Sequence, residues 1–185
     1  MTQVLGVDVS ENNILELNDF EAMVDAGCKY IIIRSSYGWT HEDSCFRKYC
    51  TLADQVGLSK MAYHYSYAHN ESELAAEAEN CAKVISDSGV SLDMVWYDCE
   101  EERLRSWATE ACSSFINKVG LNCGVYASYS WFTDSIDWKS IGCPIWVAQY
   151  NNTCDLVGYM WQFTDALQVG NQQLDGDYMF VSDED

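Results

Sequence analysis

The 185-residue sequence contains one proline, three histidines and ten basic residues against 29 acidic ones. Each scarcity excludes something. A formal charge of −19 excludes a nucleic-acid partner, because that affinity comes from Lys and Arg neutralising phosphates. The same charge argues against docking on an anionic membrane surface. His41, His64 and His69 form no H-x-x-x-H pair and no ligand-like cluster with cysteine, so no metal or other cofactor is expected. No window of about 18 apolar residues could span a bilayer. No basic segment leading into an apolar stretch opens the chain, so synthesis in the cytoplasm without a signal peptide is the expectation. The single Pro144 marks no linker. The nine cysteines include no C-x-x-C pair, and an odd, evenly spread set is not a disulfide framework. They are expected to be reduced thiols that behave as small buried hydrophobes.

With 48% apolar and 14% aromatic residues the chain can bury a real core. Its length suits one domain, over residues 1–181, followed by an acidic tail at 182–185. Val4–Val9 reads as a strand, followed by a helix capped by Asn18 or Asp19. Tyr30–Ile33 is a β-branched run of the kind found in strands covered on both faces. Helix is expected over Ser44–Val56, strand over Met61–Tyr67, and helix over Ser72–Ile85, where Leu74, Ala78, Cys81 and Ile85 share one stripe. Met94–Tyr97, Leu104–Val119 and Gly124–Ala127 continue the alternation. Beyond Ser128–Asp134, at most a helical turn, the remaining segments Ile145–Ala148, Tyr159–Phe163 and Leu174–Phe180 read as strands alone. Repeated βα units imply right-handed crossovers and a parallel sheet. The expected fold is therefore α/β and barrel-like, regular at first and finishing in strands.

In a parallel barrel, functional groups gather where strands end and βα loops begin. Acidic residues at those points are few: Asp8 after the first strand, Asp98 and Glu100 after the fourth, and Asp175 with Asp177 near the last. Residues i and i+2 of a strand share a face about 6.7 Å apart, which aligns Asp98 with Glu100. Two adjacent carboxylates cannot both ionise freely, so the more buried one is expected to hold its proton and serve as a general acid. Glycosidic hydrolysis needs such a pair, one group to protonate the leaving oxygen and one to stabilise the anomeric centre. The bland alternative is a solvated D-x-E, or one paired with Arg34.

Six blocks carry a resemblance: Gly6-Val-Asp8-Val-Ser10, Ala62-Tyr-His-Tyr65, Tyr97-Asp98-Cys-Glu100, Gly124-Val-Tyr126, Ile145-Trp-Val-Ala-Gln-Tyr150 and Trp161-Gln-Phe-Thr164. In order and over nearly the whole chain they resemble the glycoside hydrolase family 25 lysozymes, the Chalaropsis-type muramidases common among phage endolysins and bacterial autolysins. The resemblance implies a modified TIM-like barrel, five βα units followed by three strands. It implies cleavage of the β-1,4 bond between N-acetylmuramic acid and N-acetylglucosamine in the glycan strand of peptidoglycan. By motif position Glu100 is the proton donor. Asp98 is either a nucleophile or the group that orients a substrate N-acetyl for internal attack, and Asp8 and Asp175 tune that pair. The chain departs from the pattern in Val169-Gly-Asn-Gln-Gln-Leu174 and in the glycine-free loop Glu11-Asn-Asn-Ile-Leu15.

Trp and Tyr stack on the C–H faces of sugars while offering a polar tip. The substrate-binding candidates are Tyr37, Tyr65, Tyr67, Tyr126, Trp131 and Tyr150, with Trp39 and Tyr129 nearby, together with His64 and Gln149. Trp96 and Trp161 read as core. The charge conflicts with anionic wall polymers, which repel a −19 catalyst. A wall-binding module or partner outside these residues is the expected remedy for a chain otherwise expected to be a monomer. The alternative to an enzyme is a binding module on the same barrel that holds glycan without cutting it.

Overall fold

The computed structural model describes residues 1–182. Beyond Ser182 the expected acidic tail lies outside the described residues. In chain order the elements are β1 (Thr2–Val9), α1 (Leu17–Asp25), β2 (Tyr30–Tyr37), β3 (His41–Glu42), α2 (Phe46–Val56), β4 (Ser59–Tyr65), α3 (Glu71–Ser88), β5 (Val95–Asp98), a 3-10 turn (Glu102–Trp107), α4 (Ala108–Val119), β6 (Cys123–Ser128), α5 (Tyr129–Asp134), α6 (Trp138–Ile141), β7 (Ile145–Ala148), β8 (Met160–Val169) and β9 (Gln172–Val181). Eight strands close a barrel in the order β1-β2-β4-β5-β6-β7-β8-β9, because β1 pairs with both β2 and β9. The two-residue β3 hooks onto the outer end of β2. Strands β1 to β8 of the barrel run parallel, and β9 alone is antiparallel to its neighbours. The architecture is thus five βα units and three closing strands.

Local signals differ from the sequence reading in places. Helix α1 starts two to three residues earlier than expected. Glu16 is its N-cap and Asp19 sits at N3, where its carboxylate accepts the Glu16 amide at 2.8 Å; the acidic residue caps by reaching back. Strand β2 runs four residues past Ile33, since Ser36 and Tyr37 pair with β3 and β4. Strand β8 extends six residues past Phe163, held by antiparallel pairing to β9 across a two-residue turn at Gly170-Asn171. No β-branched run announces either extension; partner strands supply the hydrogen bonds.

Pleating sorts each strand into two faces. Val7, Ile31, Ile33, Ala62, Val95, Tyr97, Val125, Ile145 and Val147 face outward into the core formed with the helices. The inward face is filled at one end by Tyr30, Ile32, Met61, Trp96, Trp146 and Met160. Two glycines make room for these rings. A Cβ on Gly6 would lie 2.3 Å from the Tyr30 ring, and one on Gly124 2.5 Å from Trp96. The result is an aromatic floor inside the barrel, with the site above it. All nine cysteines are free thiols, six of them buried.

Candidate active site

The inward alternation that places Trp96 in the floor places Asp98 two residues higher, at the C-terminal end of β5. On the neighbouring strands Tyr65 and Tyr126 stand level with it. Across the barrel Asp8 of β1 lies directly opposite Asp175 of β9. These groups, with Glu100 at the mouth, Gln162 of β8, Tyr63 of β4 and Arg34 of β2, line a cavity of about 190 Å³. Trp146 forms its base and Asn12 of the β1–α1 loop one edge. Four of the five acidic residues singled out at strand ends, Asp8, Asp98, Glu100 and Asp175, therefore meet in one place.

The cavity carboxyls have no cation to themselves. The Arg34 guanidinium faces the cavity but is committed to carboxylates outside its lining, Nε donating to the buried Asp43 at 2.8 Å and Nη2 to Glu11 at 3.1 Å. Glu11 in turn accepts from the Ser44 amide and hydroxyl, and these bonds hold its pKa below the usual range. This network fixes the glycine-free loop after Ser10. Within the cavity, burial above all and then the neighbouring Asp175 charge push Asp8 up to about 7. Burial, with the Asp165 charge behind it, pushes Asp175 up to about 6.

Asp98 is only 4% exposed, and its Oδ1 has no hydrogen-bond partner in the protein. Burial first and the Glu100 charge second hold its pKa well above the carboxylate range. Glu100 is exposed at the rim, where desolvation by the surrounding wall, then the charges of Glu101 and Asp175, also raise its pKa. Both carboxyls of the pair are thus pushed toward the protonated form, and motif position names Glu100 as the donor. Gln162 is the organiser that the sequence reading missed. Its Oε1 accepts from both Tyr126 (2.8 Å) and Tyr150 (3.0 Å), which turns Nε2 onto Asp8 at 2.7 Å. The available signal was a lone amide two residues from Met160, in the inward register of an apolar strand. Among the described residues no three His, Cys, Asp or Glu side chains are placed to hold a metal ion.

The aromatic candidates divide. Tyr65 lines the cavity and donates its hydroxyl to Glu101 at 2.9 Å. From it a track of rings leads outward: Tyr65 to Tyr67 at 5.0 Å, Tyr67 edge-on to Tyr37 at 6.3 Å, Tyr37 stacked on His41 at 4.9 Å. Trp39, 45% exposed, joins Tyr37, His41 and Tyr67 around a groove of about 170 Å³. His64, Trp131 and Gln149 are not brought to the cavity. His64 has the opposite pleat parity to Tyr63 and Tyr65; it is fully buried, hydrogen-bonded to Ser36 at 2.8 Å and stacked on Phe115 of α4. Trp131 is buried under the helices, with Arg105 4.7 Å over its ring, and Tyr129 packs on the same layer. Gln149 spends its amide on Asp155 at 2.6 Å.

With this geometry in hand, the sequence matches the glycosyl hydrolases family 25 over residues 7–172. It is 28% identical over 163 residues to the autolytic lysozyme of Clostridium acetobutylicum, covering 82% of this chain and 48% of that protein. The chain thus spans about half the length of that relative. Among solved structures, the CTP1L endolysin superimposes with a TM-score of 0.81 at 25% identity, over 98% of this chain and 67% of that one. The bacterial lysozyme of Streptomyces coelicolor shares the fold with a TM-score of 0.76 at 19% identity, over 99% of this chain and 94% of that one.

Proposed function

The chain belongs to the glycosyl hydrolases family 25, and on that footing we propose that it is an N-acetylmuramidase, a lysozyme that cuts the β-1,4 bond between N-acetylmuramic acid and N-acetylglucosamine of peptidoglycan. The observation that carries this reading is the meeting of Asp98 and Glu100 with Asp8 and Asp175 in one cavity whose sole guanidinium is already paired. Such a site raises carboxyl pKa values and so keeps an acid protonated where a glycosidic oxygen needs it.

Glu100 is the general acid, because it stands at the mouth within reach of a chain lying across the rim. Asp98 lies beneath, and its unpartnered Oδ1 suits a donor arriving with substrate: the N–H of the 2-acetamido group. Held so, the acetamido oxygen attacks the anomeric carbon while Glu100 gives its proton to the departing oxygen. Water, giving a proton back to Glu100, then opens the cyclic intermediate, and the configuration is retained. Asp8 and Asp175 set the charge around this pair. The rings from Tyr65 through Tyr67 to Tyr37 offer flat faces to neighbouring sugars of the same strand. The protein acts on the cell wall after leaving the cytoplasm, and a wall-binding module or partner offsets the repulsion of its charge.

Purified peptidoglycan digested by the wild type and by Glu100→Gln, with mass spectrometry of the soluble products, tests the reading. Expected are muropeptides with new reducing N-acetylmuramic acid ends, absent with the variant. Intact glycan that still binds the protein would make it a binding module instead. Cleavage of glycan lacking the muramic N-acetyl group would assign Asp98 as a covalent nucleophile.

A further inference from the structure

Asp177 has no role in the scheme above, yet it is the most enclosed carboxyl of the barrel. It is 0% exposed and stands on the inward face of β9, level with Gly6 of β1 and Gln162 of β8. Its Oδ1 accepts the indole N–H of Trp146 at 2.8 Å, and its Oδ2 is buried with no conventional donor. The polar group beside it is another carboxyl, that of Asp8, which projects from the same inward face two residues past Gly6 on β1 and accepts at 2.7 Å from the Gln162 that pairs in register with Asp177. Around it stand Asp175 on its own strand, Tyr30 of β2 and Cys28 just before it, and Trp146 of β7; none of these is cationic. Two adjacent carboxylates cannot both be ionised in such surroundings.

We propose that Asp177 is a positioning residue that acts as a neutral carboxylic acid, donating its O–H to Asp8 and so fixing the Asp8 carboxylate in the cavity. Its Oδ2 then ceases to be an orphan, because the oxygen without a donor becomes the donor. Burial first, and the Asp8 charge second, hold the Asp177 pKa well above the carboxylate range. Asp8 is thereby gripped by two donors, each held in place by other side chains. Gln162 is aimed by the hydroxyls of Tyr126 and Tyr150, and Asp177 by the indole of Trp146. The charge stays on the carboxyl that borders the cavity, and the proton stays on the one sealed beneath it.

The kinetic part of this inference rests on the muramidase reading; the proton on Asp177 does not. The test compares Asp177→Asn with Asp177→Ala. An asparagine can accept the Trp146 N–H through its oxygen and donate an N–H to Asp8, so it should preserve kcat and the acid limb of the pH profile. The alanine should lose about 10²-fold in kcat through misplacement of Asp8, with KM little changed. Infrared difference spectra at pH 7 should show a protonated carboxyl band that disappears in Asp177→Asn. A loss in Asp177→Asn equal to that in Asp177→Ala, an unaltered kcat in Asp177→Ala, or no band lost in Asp177→Asn would each overturn the proposal. Should Asp177→Ala fail to fold, the asparagine variant and its spectrum still decide. A wild type that releases no muropeptides would defeat the muramidase reading, and the infrared comparison would still report the proton.

Discussion

The barrel opens a cavity at each end, and the two are similar in size, about 220 Å³ where the parallel strands begin and about 190 Å³ where they finish. Their contents differ. The lower cavity is lined largely by Tyr30, Met61, Met94, Tyr159 and Met179, with Lys29 and Asp93 at its edge. The upper one holds Asp8, Asp98, Glu100 and Asp175. The same strands supply both: Trp96 and Asp98 of β5 lie two residues apart, as do Met160 and Gln162 of β8. The lesson is that the chemistry depends on what lies below it. The aromatic floor removes water from one side of the carboxyls, and that desolvation is the first cause of every raised pKa in the site.

The comparison breaks most sharply at its boundary. Trp146 is 1% exposed and belongs to both regions, floor ring and donor to Asp177. Trp146→Ala should cost about 3–5 kcal/mol of stability, the usual loss for a large buried ring, measurable by denaturant unfolding. It should also bring the pH dependence of stability closer to that of ordinary carboxylates, because water would reach Asp8 and Asp177.

Asp8→Asn sharpens the contrast from above. The native Asp8 pKa of about 7, against 3.8 for the unfolded group, means the folded state binds this proton more tightly. Its contribution is therefore fully present below pH 4 and is lost as pH rises through 7. Removing the ionisable group should stabilise the protein by about 2–4 kcal/mol at pH 8, leave stability near wild type at pH 4, and abolish activity. Thermal melts at the two pH values check the sign. Equal melting shifts at both would show that Asp8 titrates as an exposed carboxyl.

Trp39→Ala probes the outermost ring of the upper end and should have the smallest effect on the fold, within about 0.5 kcal/mol, since nearly half of Trp39 is exposed. Its expected effect is on substrate: KM for long glycan strands up about fivefold to tenfold, with cleavage of the shortest cleavable fragments unchanged. Equal KM values on both lengths would remove the Tyr65-to-Trp39 groove from the substrate path.

Much of this was legible in the residues. Asp8, Asp98 and Glu100 stand at strand ends because β-branched and apolar runs stop there, and spacing by two put Asp98 above Trp96. The parity that excludes His64 from the cavity was also present, since adjacent His64 and Tyr65 cannot face the same side of one strand. Trp131 misled because its helical turn follows a strand end, where the mouth lies, while the ring turns back under Arg105 and the helices. Gln162 was hidden for another reason, and Asp177, though named beside Asp175, had no role apart from it: an amide and a second acid in a strand look solvated until the opposite wall of the barrel is known.

Local pattern along the chain set the elements, their βα alternation, the position of the carboxylates at strand ends and the family blocks. These follow from propensity, pleat and periodicity, which neighbouring residues encode. Tertiary structure alone decided the closure by an antiparallel β9, the commitment of Arg34 to Asp43 and Glu11, the orientation of Gln162, and which carboxyls hold protons. Those are matters of dielectric and distance between residues far apart in the chain, Asp8 and Asp177 above all, and they came into being only when the first strand met the last.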